Sequence, residues 1–190
     1  MTSLSSCPSP SSPCFEAEAG TALARAARLR RAVAWHQQRD APPPRPLQAA
    51  LARAEARVAQ LQDAARQSRL ATGATVVLYH QTSAAAARAI LLSGHLLPGR
   101  GGRAGAGCYF ATTPEGTALK ARRHGVVLEC AVTLGMCRVG SDYADLRARG
   151  PTAGAWLAAQ SVDSVAFETR TGWEVVVYRS DQVHVLRALV

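Results

Sequence analysis

Val76-Val77-Leu78-Tyr79-His80-Gln81-Thr82-Ser83 is where the chain stops reading as helix. The apolar run Val76 to Tyr79 predicts a short buried strand that leads into His80. Thr82 or Ser83 is placed to cap a helix that reaches Ser93 and closes at Gly94. A glycine-rich loop, Gly99 to Gly107, follows, and Cys108-Tyr109-Phe110-Ala111 predicts a second short strand. Thr113 as N-cap and Pro114 at the first helical position open another helix. Val126 to Leu134 reads as a long strand and residues 141–160 as mixed helix and turn. Ser164 to Phe167, Trp173 to Tyr178 and Val183 to Leu189 read as three more strands, with a polar turn at Arg179-Ser180-Asp181. Many short strands with a few helices in this span predict an α+β domain over residues 73–190.

Upstream the pattern is different. Residues 1–14 are Ser/Pro-rich, have little apolar surface to bury and are expected to be disordered. Ala22, Ala26, Leu29 and Val33 form one stripe of a helix beginning at residue 15. The prolines at 42, 43, 44 and 46 stop it, since proline removes a donor and disfavours helix in the residue before it. Leu47, Leu51, Ala54, Val58 and Leu61 then alternate steps of four and three, a short heptad-like seam. Residues 15–72 are therefore expected to form a helical hairpin, ended by Thr72-Gly73 and available to a helical partner.

Composition limits the function. The chain has 190 residues, 48% hydrophobic and 18% charged, with a net charge of +9. A packed core is affordable and wholesale disorder is excluded. No window reaches the roughly 18 apolar residues of a membrane span, so no membrane partner is expected. The charge favours a phosphate-bearing partner. Arginine supplies all of the basic residues except Lys120, an excess that also reflects biased composition. Cys7, Cys14, Cys108, Cys130 and Cys137 are odd in number and lack CxxC spacing, so no metal or redox dithiol is expected. A reducing, intracellular setting, cytoplasmic or nuclear, follows from that usage.

The loop Gly99-Arg100-Gly101-Gly102-Arg103-Ala104-Gly105-Ala106-Gly107 is neither a Walker loop nor a dinucleotide fingerprint. No Gly-Lys-Ser/Thr follows it, and it precedes a strand instead of joining a strand to a helix. It reads as a loop with exposed arginines, or as backbone passing close to a flat ligand. His80 at a strand end and Tyr109 inside a strand are ordinary taken singly. Glu174, at the head of the apolar run Val175-Val176-Val177, needs a solvent-facing edge or a polar partner.

Taken in order, these pieces resemble a known family. Leu78-Tyr79-His80-Gln81-Thr82-Ser83, Gly105-Ala106-Gly107-Cys108-Tyr109-Phe110-Ala111 and Glu174-Val175-Val176-Val177-Tyr178 are similar to the His-Tyr-Glu motifs of poly(ADP-ribose) polymerase-type, diphtheria-toxin-like ADP-ribosyltransferases. Leu128 to Gly135 resembles the family's central strand, and Val162-Asp163-Ser164-Val165 resembles its Tyr-Asp-Ser-Val. The resemblance covers about residues 75–190. It implies a split β-sheet core with short helices, and an enzyme that moves ADP-ribose, in single units, from NAD to an acceptor with release of nicotinamide.

Carried over by residue, the resemblance implies that His80, helped by Thr82, meets the adenosine ribose hydroxyl. Tyr109 stacks on the nicotinamide, and the Gln81 backbone and Thr117 meet its carboxamide. Glu174 binds the nicotinamide ribose and stabilises the positive charge that develops there. NAD is a co-substrate, no metal is implied, and the acceptor is a protein or a nucleic acid. Three departures stand out: the segment between Ser164 and Glu174 is short, so an acceptor-side loop there is abbreviated, Gln81 replaces a glycine, and Lys120 stands where many members carry a second tyrosine. The last two motivate an alternative, a catalytically silent module that binds NAD or ADP-ribose. An RNA 2′-phosphotransferase shares the fold and suits the charge, but fits the Tyr109 and Glu174 motifs poorly.

Overall fold

The structure, a computed structural model, describes residues 13–118, 125–140 and 143–189. The chain divides into two compact units, Met1–Ser68 and Arg69–Val190. The boundary falls inside the second helix.

The first unit holds helix α1 (Pro13–Gln37) and most of helix α2 (Arg45–Thr72). Pro13 and Cys14 are helical and so do not belong to the Ser/Pro-rich tail; the rest of that tail lies outside the described residues. The two alanine-rich stripes meet: Ala26, Ala54 and Val58 are buried together, with Ala22 and Leu29 against them. Side chains this small let the helix backbones come close while burying little apolar area. No helix among the described residues is long and apolar enough to cross a membrane.

The second unit is a mixed α/β structure around a seven-stranded sheet. Its strands are β1 (Thr75–Thr82), β2 (Cys108–Ala111), β3 (Val126–Thr133), β4 (Cys137–Gly140), β5 (Ser164–Thr169), β6 (Gly172–Val177) and β7 (Val183–Leu189). Their spatial order is β4-β5-β6-β2-β1-β3-β7. Only β4 with β5 is a parallel pair; the other neighbours are antiparallel. Strand β4 has no counterpart in the sequence reading. Its four residues, Cys-Arg-Val-Gly, lie half-buried or exposed at the sheet edge, so no apolar run announces it.

The two halves of the sheet meet weakly. Strands β1 and β3 pair continuously from Thr75↔Thr133 to Thr82↔Val126, and β2 pairs with β6 from Cys108↔Val177 to Ala111↔Glu174. Between β1 and β2 the register holds a single pair, Tyr79↔Ala111. Apolar packing bridges that seam. Leu78, Leu128, Cys130 and Val132 from one half share a core with Phe110, Val175 and Val177 from the other, and with Ala87 and Ile90 of helix α3 (Ala84–Ser93). Helix α3 is capped as its sequence predicts: Ser83 Oγ accepts from Ala86 N, and Gly94 closes it at φ 71°. A second core lies on the opposite face of β2, β5 and β6. There Val165, Phe167 and Val176 meet Leu146 of α5 (Ala144–Arg149) and Ala153 and Leu157 of α6 (Ala153–Ala158).

Asp163 ties the unit together from within. Its side chain is 1% exposed. Both carboxylate oxygens take bonds from Arg69, on the last turn of α2, at 2.8 Å, and Oδ2 also accepts from Met136 N at 2.9 Å. Gln182 Nε2 donates to the carbonyls of Asp163 and Thr133, each at 3.1 Å. Gly135, at φ 57°, has no room for a side chain, because a Cβ there would lie 2.5 Å from Asp163 Oδ2.

A buried charge that loses its partner is strongly destabilising. Arg69→Met, which strands the buried Asp163 carboxylate, is therefore expected to lower the stability of the second unit by about 3–5 kcal/mol. Urea unfolding followed by Trp156 and Trp173 fluorescence, in a Trp35→Phe background, measures it. A loss under about 1 kcal/mol would put the pair with ordinary surface bridges.

Candidate active site

The register gathers residues far apart in the chain. Tyr79 pairs with Ala111, and Ala111 pairs with Glu174, so one row crosses the adjacent strands β1, β2 and β6. His80 follows the row on β1, Tyr109 lies two residues before it on β2, and Glu174 carries it onto β6, where it meets Phe167 of β5. Three residues singled out from sequence thus sit on three neighbouring strands.

Side-chain alternation refines the picture. Tyr109 and Glu174 share the face that carries Val176 and Phe167. By parity His80 belongs to the opposite face, with Phe110, and its ring centroid lies 5.8 Å from that of Phe110. The strands part immediately beyond the single β1–β2 pair, and the imidazole fills the gap: Nδ1 lies 2.9 Å from the Tyr109 carbonyl. A carbonyl only accepts, so Nδ1 carries the proton. In the neutral ring Nε2 is then a bare acceptor. Burial pushes the His80 pKa down, against the opposing pull of the Tyr109 carbonyl, and favours that neutral form.

Tyr109 is less free than a stacking role alone suggests. Its hydroxyl accepts from Ala104 N at 2.8 Å and donates to the Gly105 carbonyl at 2.7 Å. Its half-buried ring packs beside the second core. The glycines of the loop before it serve this packing. A Cβ on Gly102 would collide with the Tyr109 ring, and one on Gly105, at φ 80°, would lie 2.5 Å from Ala153 Cβ. Tyr178 fastens the same loop by donating to the Ala104 carbonyl at 2.7 Å. Arg100 and Arg103 are exposed.

Helix α4 (Pro114–Ala118) brings Thr117 to the row. Thr113 Oγ1 accepts from Gly116 N at 3.1 Å, the cap expected from sequence. A Cβ built on Gly116 would lie 3.4 Å from Ala111 Cβ and 4.0 Å from the Thr171 carbonyl, so α4 spans β2 and the β5–β6 turn. That turn, Arg170-Thr171, is closed by Gly172 at φ 95°. Thr117 is 3% exposed and donates its hydroxyl proton to the Pro114 carbonyl at 2.6 Å. Its oxygen is left able only to accept.

Gln81 and Thr82 finish β1, opposite Val127 and Val126. The Oε1 atom of Gln81 is buried with no hydrogen-bond partner among the described residues. Lys120 lies outside the described residues. Among the described residues no group of three His, Cys, Asp or Glu side chains could hold a metal ion. The buried Cys108 and Cys130 thiols are each pushed up to about 12 by burial and stay protonated.

Sequence reasoning missed Ala111, the centre of the row. Its value lies in being small: α4 rests on it, which a larger residue would prevent. The only trace in sequence is its place after Tyr109-Phe110. No family model matches the chain, and no curated protein matches it.

Two outcomes follow from this geometry. Tyr109→Phe keeps the ring but strands the buried Ala104 N–H, and should lower stability by about 1–3 kcal/mol in urea unfolding. For His80, folding lowers the pKa below its unfolded value of about 6.5. The native state therefore binds that proton less tightly than the unfolded chain. Its contribution to stability is complete above about pH 6.5 and is lost as pH falls towards the folded pKa. His80→Gln should flatten that part of a thermal-stability profile measured between pH 7.5 and 5.

Proposed function

We propose that the unit Arg69–Val190 is an NAD-dependent ADP-ribosyltransferase domain of the poly(ADP-ribose) polymerase type, moving single ADP-ribose units to a protein or nucleic-acid acceptor. The observation that carries this reading is the row Tyr79–Ala111–Glu174, which brings His80, Tyr109 and Glu174 onto adjacent strands beside a one-pair seam. The sheet, with two halves joined at that seam, is compatible with the split core of that family.

The donor and acceptor balance of the site suits the proposed co-substrate. His80 Nε2, the Thr117 oxygen and the buried Gln81 Oε1 all have acceptor capacity left over. Ribose hydroxyls and a carboxamide NH2 supply donors to match. In the transfer the bond from ribose C1′ to the nicotinamide nitrogen breaks, and its electron pair leaves with nicotinamide. A lone pair of the acceptor forms the new bond at C1′, and the acceptor loses a proton. Glu174 stabilises the positive charge that grows on the ribose, an interaction worth more in the transition state than in the ground state. His80, neutral and fixed through Nδ1, orients the adenosine ribose.

A second reading has its own support. Gln81 brings a side chain where the resemblance expects glycine, and its amide oxygen is buried. A silent module that binds NAD or ADP-ribose without turnover would tolerate this.

Nicotinamide release from NAD separates the two. The wild type should release nicotinamide, and Glu174→Gln should reduce turnover by roughly 10²-fold or more with NAD affinity changed less than about tenfold. Saturable NAD binding with no release under any acceptor condition would favour the silent module. Turnover unimpaired in Glu174→Gln would remove Glu174 from the chemistry.

A further inference from the structure

The helical hairpin carries a second candidate site, independent of the activity proposed above. Between residues 13 and 68 arginines outnumber acidic residues nine to five. They are not evenly neutralised. On one side of the helix pair Arg30 meets Glu55 at 2.8 Å. On the other lies a cleft of about 320 Å³, lined by Glu18, Thr21, Ala22, Arg25, Arg53, Ala54 and Arg57. Its size is at the lower end for small-ligand sites. Ala22 and Ala54 belong to the contact between the helices. Arg57 is paired with Glu18. Arg25 and Arg53 are exposed and have no carboxylate partner among the described residues.

The spacing extends the positive rim. Arg25 and Arg28 stand three apart on α1, and Arg53 and Arg57 four apart on α2, so each pair shares a helix face. Like charges at these spacings work against helix formation. An anion held between them removes the repulsion. Guanidinium forks fit phosphate oxygens in pairs. The lining has no aromatic or long aliphatic side chain, which disfavours insertion into a lipid surface.

We propose that this cleft binds phosphate groups of a nucleic-acid backbone, with Arg25 and Arg53 as its principal contacts and Arg57 recruited from Glu18. A row of arginines along two helices suits a chain of phosphates better than one isolated anion.

The test is fluorescence anisotropy of the full-length protein with a fluorescein-labelled single-stranded 20-mer over a salt series. Arg25→Gln/Arg53→Gln keeps good helix formers at both positions, and circular dichroism checks that the helices remain. It should weaken binding at least tenfold. The slope of log affinity against log salt should fall by about 1.4, the release of two counterions from a single strand. The control Arg88→Ala/Arg147→Ala removes the same charge from exposed positions elsewhere and should change affinity less than threefold. Glu18→Gln frees Arg57 and should tighten binding. Equal effects of the double variant and the control would reduce the interaction to overall charge and overturn the site. So would loss of tripolyphosphate binding in the double variant with oligonucleotide binding unchanged, or a poly-glutamate peptide of equal charge competing as well as the oligonucleotide.

Discussion

The carboxylate of Asp163 is the constraint on which the second unit depends. A charge taken out of water must have every oxygen satisfied, and here the carboxylate's partners come from two places, the last turn of α2 and the turn after β3, while Gln182, from the chain after β6, holds the main-chain carbonyl of the same residue. Meeting those demands at one point fixes where β5 begins, because Ser164 is the next residue and its hydroxyl donates to the Leu134 carbonyl at 2.8 Å. The start of β5 sets its register with β6, placing Phe167 opposite Glu174, and Glu174 then stands opposite Ala111. The position of an acid at the candidate site is thus tied through the ladder to a buried ion pair elsewhere in the sheet.

The site itself arises where regular structure stops. A continuous β1–β2 ladder would have used the Tyr109 carbonyl in a backbone bond. Because the ladder is one pair long, that carbonyl turns to His80, and the histidine tautomer follows. Helix α4, five residues long, adds a second such group, since the Thr117 hydroxyl donates to the Pro114 carbonyl. Interrupted backbone pairing produces fixed side-chain acceptors, and those are the groups a polar ligand needs already in place.

Much of this was legible in the sequence, for identifiable reasons. Helix α3 announced both ends, because Ser83 and Gly94 do work that few other residues can do there. Strand β2 was read with its observed limits from the apolar run Cys108 to Ala111. The helical stripes of the hairpin named the residues that meet. What stayed hidden depends on tertiary partners. Strand β4 is an edge with a mixed composition, and only its parallel pairing with β5 makes it a strand. The glycines of 99–107 read as a loop with exposed arginines or as backbone close to a ligand; Arg100 and Arg103 are exposed, but that Gly102 and Gly105 make room for Tyr109 and Ala153 had no sign in the sequence. His80 and Glu174 were picked out by residue type and order, but their distribution over two faces of the sheet follows from register, which a sequence does not display. Asp163 was visible only as part of a short pattern, since its role requires Arg69, distant in the chain.

The one-pair seam also shapes how the unit can move. Beyond the Tyr79↔Ala111 pair and the His80 bond to the Tyr109 carbonyl, its halves are held together across that line by Leu78, Leu128 and Cys130 against Phe110, Val175 and Val177, contacts that have no preferred direction. A hydrogen-bonded ladder resists sliding in whole-residue steps, while an apolar interface yields by fractions of an ångström. The sheet divides into two plates, β1, β3 and β7 on one side and β2, β6, β5 and β4 on the other, with an apolar joint that Gln182 pins at one end by bridging the Thr133 and Asp163 carbonyls. A ligand wedged at the joint would spread the plates without unzipping either one, and backbone amide exchange would divide along the same line.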